Sequence, residues 1–217
     1  MDRINLLLQS RLPPGSFGRN VLTLMTGTTF AQALLIIVAP ILTRLYSPED
    51  FGIYTLYTSI LGILAVLACF RYEQAIVLPE KDDDAANLLA ISIAVCFVMA
   101  CIVFILVALF RNQAADFLGA NELAGWLWLM PVSLLAIGLF QALNYWSTRR
   151  RQFKRLAARQ ITRSGITAVT QMGIGAGIPW GSNGGLILGD VIGQIAATTR
   201  LGWQIGRQEG TNISESV

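Results

Sequence analysis

Histidine is absent from these 217 residues, charge is scarce at 13%, and cysteine occurs only three times. Without histidine there is no His-dependent catalytic triad and no His-ligated metal site. Cys69, Cys96 and Cys101 all fall in apolar stretches, and no pair has ligand-like spacing. Their odd number cannot close into a complete disulfide set, so they count as small apolar side chains. The shortage of charge excludes more. A water-facing globule carries about 25% charged residues, and a chain that is 54% hydrophobic with so few charges cannot cover itself for water.

What is present is long charge-free runs. Crossing a hydrocarbon core of about 30 Å takes about 20 apolar residues in a helix. Residues 20–43, 51–70, 85–110 and 123–148 each pass without one Asp, Glu, Lys or Arg. A fifth run, 164–199, contains Asp190 alone and is too long for one crossing. The cluster Pro179-Trp180-Gly181-Ser182-Asn183-Gly184-Gly185 divides it into two helices, the first of which begins near Leu156. The expectation is an all-α integral membrane protein with six spans, 20–45, 48–70, 85–110, 123–148, 156–179 and 184–206. Residues 1–16 precede this bundle of residues 17–206, and a polar tail, 207–217, follows it. Ile4–Leu12 fits either an interfacial segment or a frayed terminus. The first run is too long for a cleaved signal peptide.

Although the isoelectric point is near 9.0, the basic residues sit between apolar runs and form no face with interleaved aromatics, so nucleic acid is not the expected partner. With six spans and a cytoplasmic N-terminus, fourteen of the sixteen Lys and Arg fall on the inner side, leaving only Arg44 and Arg111 outside. Basic residues near span ends resist translocation, so both termini are expected in the cytoplasm. Asp82-Asp83-Asp84 lies inside too, but acids count little in this rule. Trp126, Trp128, Trp180 and Tyr46 mark outer span ends, and Tyr72, Tyr145, Trp146 and Trp203 inner ones.

Several local patterns carry specific expectations. Ser47-Pro48-Glu49-Asp50 reads as a helix start, with Ser47 as N-cap, Pro48 in the first turn and two carboxylates at the positive helix end. Gly185, Gly189, Gly193 and Ala197 form a small-residue stripe on the last span, and Gly165, Gly173 and Gly177 form one on the span before. Such stripes let helices approach closely in lipid, within the chain or between two copies. Pro40 and Pro131 are candidate bends.

Asp190 is the one acid well inside a span, with Gln194 and Thr198 following at helical spacing. It fits a cavity-facing, ion-sensing carboxylate or one paired with a neighbour such as Arg44. Thr28 and Gln32 share a face of the first span, and Gln141 and Asn144 mark the inner end of the fourth. These side chains suit a polar cavity or hydrogen bonds between helices. The basic segment Arg149 to Arg163 suits anionic lipid heads or, through its guanidinium forks, a pyrophosphate. No paired acids or activated nucleophile stand out, so neither an enzyme nor a cofactor is expected.

Three stretches carry a resemblance. They are Gly27 to Gln32, then LTRLYSPEDFGIYTLYTS from Leu42 to Ser59, then RYEQAIVLPEKDDDAANLL from Arg71 to Leu89. Together with a basic loop and a Gly-rich helix pair ending GGLILGDVIGQ, they resemble bacterial polysaccharide biosynthesis proteins of the Wzx flippase type, which are related to MATE exporters within the MOP superfamily. The resemblance spans roughly Phe17 to Gly206. It implies one lobe of a two-lobe inner-membrane transporter that moves undecaprenyl-pyrophosphate-linked oligosaccharide for O-antigen or exopolysaccharide synthesis. A second lobe is then expected from the rest of a longer chain, a second copy or a separate partner. Arg44, Arg71, Arg149, Arg150 and Arg151 are the candidates for headgroup contact, and Gln32, Asp190 and Gln194 for the cavity and ion coupling. A cation-coupled small-molecule exporter of the MATE kind and a membrane scaffold for glycan synthesis are the rival readings.

Overall fold

The computed structural model describes the backbone of residues 17–68, 71–149, 153–177 and 182–214, and the side chains of residues 25–68, 71–149, 160–177 and 184–200. Among them every regular element is helical. Five long helices carry the architecture: α1 (Phe17–Leu45), α2 (Pro48–Leu67), α4 (Asp82–Phe117), α7 (Phe153–Gly177) and α8 (Ser182–Ser214). A further long stretch is built in pieces from the short α5 (Leu123–Trp126), a 3-10 turn (Leu127–Leu129) and α6 (Met130–Arg149). A one-turn helix, α3 (Tyr72–Ala75), follows α2.

Four of the described stretches are long and apolar enough to cross a membrane: Met25–Leu45, Pro48–Leu67, Asp82–Phe117 and Leu123–Arg149. The chain is therefore a helical membrane protein. The large apolar side chains it exposes, such as Ile36 at 72%, Ile63 at 69% and Phe97 at 59%, find their solvent in lipid tails.

Helix boundaries differ from expectation where charge meets the bilayer edge. α4 runs Asp82–Phe117 rather than 85–110, because the Asp82-Asp83-Asp84 run occupies its first turn, where carboxylates complement the helix dipole. α8 continues to Ser214, through most of the segment expected as a tail. Pro131 lies where the fourth expected span passes from a 3-10 turn into an α-helix. It occupies the second position of α6, just after the 3-10 turn, where a missing N–H costs no helical bond. Pro40 lies inside the unbroken α1.

The helix start at Ser47 forms as its residues dictate. Ser47 Oγ accepts from the Asp50 N–H at 3.2 Å, and the Asp50 carboxylate accepts from the Ser47 N–H at 2.8 Å, with Pro48 at the head of α2. This reciprocal capping satisfies donors that a helix end leaves unpaired. The sharp turn carries Tyr46 into the bundle, where its hydroxyl donates to the Gln171 carbonyl at 2.7 Å. Burial and then the nearby Asp50 carboxylate push this hydroxyl above its ordinary pKa, against an opposing backbone hydrogen bond at Gly175. It remains a donor at neutral pH.

The helices pack in the order α1, α7, α8, α6, α4, with α2 lying against α8 and α6. Tyr57 and Leu61 of α2, Cys96 and Val103 of α4, Leu134 of α6 and Ile187 and Val191 of α8 share one apolar core. Tyr57 closes its polar end with a 2.7 Å hydrogen bond to Ser133. A second cluster joins Val38, Leu42 and Tyr46 to Ala168 and Leu186.

The small-residue stripe of α8 lies in close contact with Tyr46 and with α7. A Cβ added at Gly185 would stand 2.3 Å from the Tyr46 hydroxyl, at Gly189 2.3 Å from Gln171 Cγ, and at Gly193 2.0 Å from Thr167 Oγ1. Gly165, Gly173 and Gly177 of α7 behave otherwise, with nothing within 4 Å of an added Cβ. The α7 side of the interface is instead Thr167, Gln171 and Ile174, larger side chains that fill the groove the α8 glycines leave.

Candidate functional site: a polar cavity at one end of the bundle

Where α2 ends and α3 begins, the backbone takes an unusual turn. Arg71 has φ 60°, the only positive φ at a non-glycine among the described residues, a conformation that costs free energy and persists only where the surroundings hold it. Arg71 caps α3, and the turn brings α3 against α4 and α6. Ile76, Ala85 and Trp146 pack beneath it.

Between α2, α3 and α6 this leaves a cavity of about 380 Å³ lined by Gly62, Ala65 and Val66 on the apolar side and by Arg71, Glu73, Gln74, Gln141, Asn144 and Tyr145 on the polar side. Glu73 is only 5% exposed, and its Oε2 has no hydrogen-bond partner. A buried, unsatisfied carboxylate oxygen is costly, and here it belongs to a residue that lines an open space.

The expected site residues divide between places. Arg71 joins Gln141 and Asn144 in this cavity. Arg44 is exposed in the last turn of α1, beside the start of α2, and the 20 residues of α2 put it about 30 Å from the cavity end, so one headgroup does not touch both. Arg149 lies at the cavity's end of α6 but is engaged elsewhere. Its guanidinium donates to Asp82 at 3.0 Å, to the Glu80 carbonyl at 3.2 Å and to the Pro79 carbonyl, strapping the α3–α4 connector to the end of α6. Arg150 and Arg151 lie outside the described residues, as do residues 1–16 and Pro179-Trp180-Gly181.

Asp190 and Gln194 lie deeper. Asp190 pairs with Arg163 of α7 at 3.6 Å, not with Arg44, because α7 is the neighbour that faces α8 here. Gln194 is buried with Oε1 unpartnered, and Thr167 Oγ1 is likewise without a partner. Thr198 ties the same stripe to α6 by donating to the Ala136 carbonyl at 3.1 Å. Gln32 is exposed on α1, apart from this group.

Glu73 and Gln74 were not singled out from the sequence. The available signal was an acid and an amide two and three residues after Arg71, at the end of an apolar run and next to the apolar Ala75-Ile76. Arg163 ends the basic segment that the sequence places at the inner end of the fifth span. It lies in the third turn of α7, which begins at Phe153 rather than near Leu156.

Among the described residues no group of three or more Cys, Asp or Glu side chains is placed to hold a metal. The cavity offers one guanidinium, one carboxylate, three carboxamides and a phenol, which is equipment for binding and positioning.

No curated protein and no solved structure matches the chain. A family model described as polysaccharide biosynthesis protein matches residues 41–211, a stretch that holds α2 through α7, most of α8, the cavity and the Arg163–Asp190 pair. The chain belongs to the polysaccharide biosynthesis protein family.

Proposed function

We propose that residues 17–206 form a six-span lobe of a flippase that carries undecaprenyl-pyrophosphate-linked oligosaccharide across the bacterial inner membrane for O-antigen or exopolysaccharide assembly. The observation that carries this reading is the family match over residues 41–211 on a helical membrane bundle. Both termini lie in the cytoplasm, since that arrangement keeps fourteen of sixteen basic residues on the inner side. The polar cavity then opens at the cytoplasmic end of the bundle, the side on which such a substrate is made. Arg71 stands at that end to meet the pyrophosphate, and Arg150 and Arg151 follow the last turn of α6. A second lobe or a second copy completes the path.

Asp190 and Gln194 are the candidates for ion coupling. The Arg163 guanidinium beside Asp190 already supplies a counter-charge, which counts against a drug exporter that relies on a free membrane carboxylate. The reading also treats the chain as a transporter and not an enzyme.

Deleting the gene tests the proposal. The expected result is loss of surface polysaccharide with lipid-linked oligosaccharide trapped on the cytoplasmic leaflet, restored by the wild-type gene and poorly by Arg71→Ala. Normal surface glycan in the deletion strain overturns it.

A further inference from the structure

We propose that the cavity between α2, α3 and α6 is a binding site for a single uncharged, hydroxyl-rich ring of the hexopyranose kind, with Glu73 as its principal acceptor. The inference rests on the flippase reading above and names the part of the substrate that the cavity takes. Its evidence is the Glu73 carboxylate: the residue is 5% exposed, lines the cavity and leaves Oε2 without a partner.

Three candidate ligands compete for such a space. A pyrophosphate would bring negative charge against a buried carboxylate, and like charges at short range in a poorly screened site repel strongly. A bare cation would suit the carboxylate and the carboxamide oxygens, but the cavity of about 380 Å³ is far larger than an ion needs, and Arg71 lines it with a positive charge of its own. A sugar ring answers every feature. Its hydroxyls donate to Glu73, and Gln74, Gln141 and Asn144 supply carboxamides that both donate and accept. Tyr145 offers an aromatic ring and a hydroxyl, while Gly62, Ala65 and Val66 give an apolar wall for ring C–H groups. The volume lies in the range of about 300–1,000 Å³ typical of small-molecule sites. Arg71 lines the same space, so a phosphate attached to the bound ring meets a guanidinium while the ring meets the carboxylate.

The site is tested on the full chain in lipid nanodiscs by saturation-transfer NMR with the methyl glycosides of glucose, galactose and N-acetylglucosamine as probes. At least one is expected to receive saturation at its ring C–H protons. Glu73→Gln keeps the shape but removes the charge and one acceptor, and is expected to weaken that probe about tenfold, the usual scale for a hydrogen bond to a charged group. Asn144→Ala, on a different helix, is expected to weaken it too, whereas Gly173→Ala in open space on α7 leaves binding unchanged. Absence of transfer to all three glycosides overturns the proposal, as does equal transfer in wild type and Glu73→Gln. Glu73-dependent broadening of a sodium-23 signal without glycoside binding assigns the cavity to a cation and overturns it as well. The parent reading fails separately. If the deletion strain keeps its surface glycan while glycosides still bind, the flippase reading falls and the sugar site stands. If the strain loses its glycan but Glu73→Gln restores it fully and no glycoside binds, the reverse holds.

Discussion

Arg163 and Asp190 face each other across the α7–α8 interface, Nη2 to Oδ1 at 3.6 Å, with 31% and 18% of their side chains exposed. The distance marks an ion pair looser than a direct hydrogen bond, and the partial burial places its worth between that of a surface pair and a fully buried one. Asp190→Asn leaves Arg163 without its counter-charge and is expected to destabilise the bundle by about 2 kcal/mol. Arg163→Met combined with Asp190→Leu is expected to cost less than the two single changes added together. Unfolding in graded SDS measures Asp190→Asn, the two single changes and the double variant. Strict additivity would mean that the pair contributes nothing by pairing.

At Gly193 an added methyl meets Thr167 Oγ1, Cβ and backbone N at 2.0, 3.1 and 3.2 Å. The last two atoms give way only if α7 moves, so Gly193→Ala is expected to cost about 1–3 kcal/mol by overpacking. Gly173→Ala meets nothing within 4 Å and is expected to gain a few tenths up to about 1 kcal/mol from helix propensity. The opposite signs separate a packing role from a general intolerance of change at glycine.

Tyr46→Phe removes the 2.7 Å hydrogen bond to the Gln171 carbonyl, a loss of about 1 kcal/mol. Its pH dependence has a definite sign. The folded state raises the Tyr46 pKa, so the native chain holds this proton where the unfolded chain releases it, and the stabilisation is complete below about pH 10 and lost above it. Wild type is therefore expected to lose stability faster than Tyr46→Phe on titration from pH 9 to pH 11. Parallel curves would show that the hydroxyl is not held in this way.

Arg149 fastens the connector between α3 and α4 through Asp82, Glu80 and Pro79. Arg149→Lys keeps the charge but lacks the planar fork that reaches several acceptors at once. Amide exchange in residues 80–84 is expected to speed up by about tenfold or more in the variant. Unchanged exchange would show that the strap carries little weight.

What could be read ahead of the structure was whatever depended on neighbours in sequence. Ser47, Pro48 and Asp50 declare a helix start because each bonds within its own turn. The charge-free runs declare membrane helices because length and polarity alone decide them. The α8 glycines were legible as a close-packing stripe, yet Gly165, Gly173 and Gly177 of α7 meet nothing within the described part of this chain, since which face of a helix is buried depends on where its partner lies. The partner of Asp190 was hidden for the same reason. Arg163 and Asp190 are 27 positions apart and meet only because α7 and α8 form an antiparallel pair. Glu73 was obscured by the left-handed turn at Arg71, which nothing in the residue type announces and which sets α3 beside α6.

The packing of α1 constrains the order in which the chain assembles. Its main neighbour is α7, and about 108 residues separate Leu45 from Phe153. At a synthesis rate of about 5–20 residues per second, the first helix enters the bilayer some 5–20 s before its mate leaves the ribosome. For that interval the half-finished groove beside Val38 and Leu42 stands open to lipid. Biogenesis thus favours an insertion machinery that shelters a solitary early helix until the later one arrives to claim it.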